Sequence, residues 1–119
     1  MLAVFGGNAM ALPAIRRMQA HGHAVLVVDG NAESPARGVA DGFVHQDFSD
    51  VRGTIDRLRH LHLTGVMPLN DFAIAGAAQL ARERNLPGWS ERTEMCVRNK
   101  AVMKQAWIDA GLPTARMLC

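Results

Sequence analysis

The sequence predicts an α/β fold built on an open parallel sheet. Three observations predict it. Short apolar runs alternate with stretches of helical periodicity along the chain. The run at residues 24–28 is continuous and rich in valine, as a strand buried on both faces requires. Turn residues close nearly every unit, from Gly6 and Gly7 through Asp29, Gly30 and Asn31 to Asn85, Pro87 and Gly88.

Taken in order, residues 2–5 form a first strand that stops at Gly6 and Gly7. Ala11, Ile15 and Met18 recur at helical spacing, with Pro13 in the first turn, where its missing N–H costs little, and Gly22 as the stop. The second strand is 24–28. Residues 30–41 read as loop, and 42–45 as a short third strand. Ser49 or Asp50 caps a helix whose inward stripe is Val51, Ile55 and Leu58. Residues 65–69 make a fourth strand, with Pro68 fraying its end. Asp71 is the expected cap of the next helix, with Ile74, Ala77, Ala78 and Ala81 inward. Ser90 caps a short helix. Met103, Ala106, Trp107 and Ala110 then give a last helix its apolar face, Gly111 stops it, and a further strand is expected to begin at Ala115. A strand begun at the end of a chain suggests the front part of something larger. The expected strand order is 3-2-1-4.

Composition narrows the function. The 119 residues are 49% apolar and 20% charged, a globular balance, and the net charge is only +2. No basic run exceeds Arg16 and Arg17, so a nucleic-acid partner is not expected. No apolar run approaches the ~18 residues of a membrane span. The N-terminus lacks the basic start of a signal peptide, and two cysteines make no disulfide framework, so a cytoplasmic location is expected.

Chemistry concentrates at strand ends. Gly6, Gly7 and Asn8 open the first helix, where backbone amides and the helix dipole favour a carboxylate or phosphate. The alternative is a tight turn that binds nothing. Asp29 stands where a dinucleotide fold holds a ribose, but the loop lacks the Gly-x-Gly-x-x-Gly spacing. With order 3-2-1-4, the switch in strand order brings Gly6, Gly7 and Asn8 beside Asn70 and Asp71. Asp71 also reads as a plain cap, whereas Asn70 has less structural excuse. The five histidines have no cysteine or paired carboxylate to complete a metal set, so no metal site is expected. Lys100 by spacing alone is a solvated helix residue.

The ordered set of Val28, Asp29, Gly30 and Asn31, Ala40 to Phe43, Gly65 and Val66 with Asn70 and Asp71, Leu86 to Ser90, Asn99 with Lys100, and Ala110 to Thr114 resembles the N-terminal region of ATP-grasp ligases. Carboxylate–amine ligases, biotin carboxylase and the carbamoyl-phosphate synthase large subunit share that layout. The chain departs from it at Asn99, where the family often has Asp, and at Ala115, where it often has Pro. The resemblance implies a Rossmann-like pre-ATP-grasp domain at residues 1–90, then the first helices of an incomplete ATP-grasp domain at 91–119. It implies an enzyme that activates a carboxylate as an acyl phosphate for attack by an amine, using ATP and Mg2+. It places the small-molecule carboxylate substrate at Gly6, Gly7, Asn8, Asn70 and Asp71, and nucleotide phosphates at Lys100. It assigns no catalytic residue to this chain and implies that the chain alone is inactive and binds no cofactor by itself. Its partners are then the missing ATP-grasp domain and, as in many relatives, a second copy in a homodimer.

Two other readings compete. A stand-alone Rossmann-like nucleotide-binding or regulatory module would use Gly6, Gly7, Asn8 and Asp29. A structural domain would dock through the face carrying Met103 and Trp107.

Overall fold

A computed structural model describes residues 1–116. Four parallel strands, β1 (Leu2–Phe5), β2 (Val25–Asp29), β3 (Gly42–His45) and β4 (Gly65–Pro68), form one sheet in the order β3-β2-β1-β4. β1 is central: Leu2 to Phe5 run in register with Val25 to Val28 on one side and with Gly65 to Pro68 on the other. Pro68 therefore lies on an edge strand, where a missing ladder donor is tolerated. The expected strand order is the one found. β2 lies one residue further along than expected, and β4 stops one residue earlier.

The sheet is buried on both faces because the side chains of β1 and β2 alternate between two apolar clusters. Val4, Val25 and Val27 pack with Ala11, Ile15 and Ala36. Ala3, Phe5, Leu26 and Val28 pack with Ile55, Leu58, Ala73, Ala77 and Leu80. The first cluster is covered by α1 (Leu12–Ala20), the second by α2 (Val51–Leu58) and α3 (Ile74–Glu83). Each valine, leucine, isoleucine or phenylalanine among them, fully buried, contributes about 1.5–3 kcal/mol. Phe5 stacks on Phe48 with ring centroids 6.3 Å apart.

The helix ends follow local chemistry. Asp50, not Ser49, caps α2 by accepting from the Gly53 amide at 3.0 Å. The α2 stripe gains Thr54, which the periodicity does not single out. It is fully buried, with its hydroxyl donating to the Asp50 carbonyl at 2.8 Å. The cap after β4 is corrected. Asn70, rather than Asp71, accepts from the Ala73 amide at 2.9 Å and opens a 3-10 turn at Asp71–Ala73 that runs into α3. Residues 30–41 are not all loop either, since Pro35–Gly38 form another 3-10 turn.

α3 ends on Asn85 with φ +51, the one left-handed residue among the described residues that is not glycine. The Leu86 amide reaches the Ala81 carbonyl at 2.8 Å and the Asn85 amide reaches that of Arg82 at 3.3 Å, the paired bonds of a Schellman stop. Glycine adopts this φ without a Cβ penalty, so Asn85→Gly is expected to raise stability by roughly 0.5 kcal/mol. A shift of the urea midpoint in that direction, with an unchanged m value, checks it.

Three surface carboxylates are held below the ordinary range. Asp41 is lowered by the Val25 amide and then the Gln19 side chain, Asp47 by the Ser49 hydroxyl and amide, and Glu83 by Gln79 and then Arg52. A depressed acid contributes stability above its unfolded-state pKa and loses it as pH falls through the folded value. Urea midpoints are therefore expected to fall as pH drops through and below the ordinary carboxylate range. Asp41→Asn should make that dependence shallower.

The chain divides into two compact units, Met1–Gly88 and Trp89–Cys119. Within the second, α4 (Glu91–Arg98) and α5 (Lys100–Asp109) form a helical pair in which no described residue is fully buried. Met95, Trp107, Ile108 and Leu112 all stand substantially exposed. Ser90 caps α4 as expected. Gly111 stops α5, its amide on the Ile108 carbonyl and that of Leu112 on Trp107. Ala115 and Arg116 adopt no regular structure, and the rest of the expected last strand lies outside the described residues.

Candidate functional site

The carboxyl edge of the sheet carries two matched turns. After β1, Gly6 takes φ +98, a conformation that favours glycine, and its amide bonds the Val28 carbonyl at 2.9 Å. Asn8 then caps a 3-10 turn at Ala9–Ala11 by accepting from the Met10 amide at 3.0 Å, and α1 follows. After β4, Asn70 repeats the device ahead of α3. A methyl placed on Gly6 would stand 2.7 Å from Asn70 Nδ2, so the two turns abut. The switch in strand order thus sets Gly6 against Asn70, while Gly7 packs the other way, against Val27, Ser34 and Ala36.

Their roles differ from one another. Asn70 owes its polarity to capping, which supplies the structural reason the sequence did not offer. Asp71 is exposed in the first turn, where the helix dipole favours its charge. Met10 and Phe72, the middle residues of the two 3-10 turns, are 86% and 83% exposed. Among the described residues the amides of Asn8 and Ala9 meet no protein acceptor.

Gly7 is enclosed. Its amide donates to Asp29 Oδ2 at 2.6 Å, and its carbonyl accepts from Ser34 Oγ at 2.8 Å and from the Ala36 amide at 3.0 Å. The other oxygen of Asp29 accepts from the Asn31 amide at 2.8 Å. Both carboxylate oxygens of Asp29 therefore bind the protein's own backbone, which gives the residue a structural role in this turn. Sequence reasoning gave Asp29 a ligand only in the competing nucleotide-module reading and passed over Ser34. A serine that is 4% exposed within an otherwise polar loop becomes visible only once the loop is folded.

In the second unit, Lys100 is the exposed first residue of α5, its Nζ 3.5 Å from the Val97 carbonyl. Asn99 caps α5 through Oδ1 to the amides of Ala101 and Val102. Asn and Asp cap about equally well, which accounts for Asn99 in place of the aspartate. Among the described residues no three His, Cys, Asp or Glu side chains group to hold a metal ion, and no helix is long and apolar enough to cross a membrane. His21, at the end of α1, points Nδ1 at the Arg17 carbonyl at 2.9 Å.

No family model matches the sequence, and no curated protein matches it. Solved structures do. Phosphoribosylglycinamide synthetase from Anaerococcus prevotii superposes with a TM-score of 0.80 at 25% identity, over 97% of this chain and 30% of that one. The glycinamide-RNase-transformylase T structure from Mycobacterium tuberculosis gives 0.84 at 20% identity, over 97% and 34%. N5-carboxyaminoimidazole synthetase from Staphylococcus aureus, complexed with ADP, gives 0.76 at 18% identity, over 92% and 30%. This is the fold of the N-terminal region of ATP-grasp ligases. The chain spans about a third or less of the length of these ATP-grasp neighbours.

Proposed function

We propose that this chain is the N-terminal, substrate-side domain of an ATP-dependent ATP-grasp ligase that joins a carboxylate to an amine. The observation that carries the reading is the abutting pair of Asn-capped turns, at Gly6 and Asn70, at the switch point of a sheet with the ATP-grasp N-terminal fold. Residues 1–90 form the pre-ATP-grasp domain, and 91–119 begin the ATP-grasp domain. Asn8, Asn70 and Asp71 face the small-molecule carboxylate substrate across the crevice, with Gly6 and Gly7 shaping its floor. Lys100 meets nucleotide phosphates, a role its exposure on α5 allows. The ADP-bound neighbour supports nucleotide use.

When bound, ATP with magnesium supplies the phosphoryl group that turns the carboxylate into an acyl phosphate. In this reading the ligands of the metal come from the nucleotide phosphates and from the remaining domain. What this chain contributes is orientation: the turn ahead of α1 holds the carboxylate while the amine approaches. The reading includes a cytoplasmic homodimer, with the rest of the ATP-grasp domain as the necessary partner.

The test follows an oxygen atom. The polypeptide that carries this sequence in its source cells, given ATP, an amine and a carboxylate labelled with oxygen-18, is expected to place label in the released phosphate. The 119-residue chain by itself is expected to release none, and ATP turnover by that chain would contradict the reading.

A further inference from the structure

We propose that Met18, His21, His23 and Met67 form a binding site for a soft monovalent cation, copper(I). The inference goes beyond the ligase reading and does not rest on it. These four side chains line one cleft of ~370 Å3, together with Leu2 and Arg17. The cleft lies by the amino ends of β1 and β2, whereas Gly6 and Asn70 follow the carboxyl ends of β1 and β4.

The backbone brings the donors together from two elements. The sheet pairs Met67 with Val4, and Val4 packs in the cluster with Ile15 of α1. Paired residues of neighbouring strands point to the same face, so Met67 faces the α1 side as well. It stays 43% exposed there, since α2 and α3 cover the opposite face. The other three donors sit in one helix stop. Gly22 takes φ +85, its amide reaches the Gln19 carbonyl at 2.9 Å, and the His23 amide reaches that of Met18 at 3.1 Å. This Schellman arrangement fixes the backbone that carries Met18, His21 and His23.

The chemistry of the donors selects the ion. His21 Nδ1 lies 2.9 Å from the Arg17 carbonyl, which can only accept. Nδ1 therefore holds the ring proton, and Nε2 of the neutral ring keeps its lone pair. Metal-binding imidazoles are oriented by such a bond to a backbone carbonyl. Thioethers and imidazoles together make a soft, uncharged set, which suits copper(I). No carboxylate lines the cleft and Arg17 adds positive charge, so divalent ions that seek oxygen donors are disfavoured. Methionine sulfur thus supplies what the histidines lack in cysteine or carboxylate partners.

Silver(I), added as silver nitrate without chloride, is a probe that needs no reductant. It is titrated into the 119-residue chain carrying carbon-13 methionine methyls, with Cys96→Ser and Cys119→Ser removing competing thiolates. The Met18 and Met67 methyl signals are expected to move together and level off at about one equivalent, with the ring signals of His21 and His23. Met10, 86% exposed, is the internal control and is expected to stay in place. Zinc is expected to leave the methionine methyls unmoved. Copper(I) affinity, from competition with a chromogenic copper(I) chelator, is expected to fall about tenfold or more in Met67→Leu and in His21→Ala. Leucine nearly conserves the volume of methionine, and unshifted amides away from the cleft would report intact folding. Met10 responding as strongly as Met18 and Met67 would overturn the proposal, as adventitious thioether binding only. Copper(I) affinity unchanged in either variant would overturn it too.

Discussion

Gly7→Ala is expected to destabilise the chain by about 3 kcal/mol, measured as a lower urea midpoint at constant m. The added methyl would stand 2.5 Å from Ser34 Oγ, 2.7 Å from Ala36 Cβ and 2.8 Å from Val27 Cγ1. None of the three yields easily. Val27 and Ala36 are fully buried in the cluster under α1, and the Ser34 hydroxyl is committed to the Gly7 carbonyl. Relief requires residues 31–38 to lift from the sheet, which breaks the bonds of Gly7 to Asp29 and Ser34 together. Gly38→Ala is the control: a methyl there meets nothing within 4 Å, and the change should stay within about 0.5 kcal/mol.

Arg84→Ala is expected to cost about 2–3 kcal/mol, read from the same denaturation curves. The guanidinium of Arg84, just past the end of α3, donates to the carbonyls of Leu58 and Leu61 through Nη2 at 2.9 Å each, and to that of Arg59 through Nη1 at 3.0 Å. These carbonyls lie at and just past the end of α2, that of Leu58 also accepting from the Leu61 amide at 3.0 Å, so one side chain ties the end of one helix to another. Arginine suits the task because its planar fork offers several donors at fixed angles. Arg84→Lys is accordingly expected to recover only part of the loss. Full recovery by lysine would show that charge at the end of α2, and not the fork, is what matters.

Not every part of this structure was equally visible in the chain. The sheet was, because residues 25–28 and 3–5 are apolar at every position, a pattern that only a strand covered on both faces needs. The strand order and the meeting of Gly6 with Asn70 followed from that topology. The choice between Asn70 and Asp71 as cap did not, since both residue types cap well and stand side by side. Arg84 was invisible for another reason: its partners are backbone carbonyls 23 to 26 residues away, and a carbonyl leaves no mark in a sequence. Asp29 was turned toward a ligand only in the competing nucleotide-module reading, and nothing in the sequence showed that its carboxylate accepts from the amides of Gly7 and Asn31. The departure at Asn99 becomes intelligible only when its side chain is seen capping α5.

The ligase reading makes this chain one domain of a larger enzyme, and that is its most exposed claim. The most direct measurement is the mass of the native polypeptide in its source cells, detected with an antibody raised against residues 1–88. A single species several times the 12.9 kDa of this chain is the predicted result. A species of 12.9 kDa, with no larger one, would contradict it.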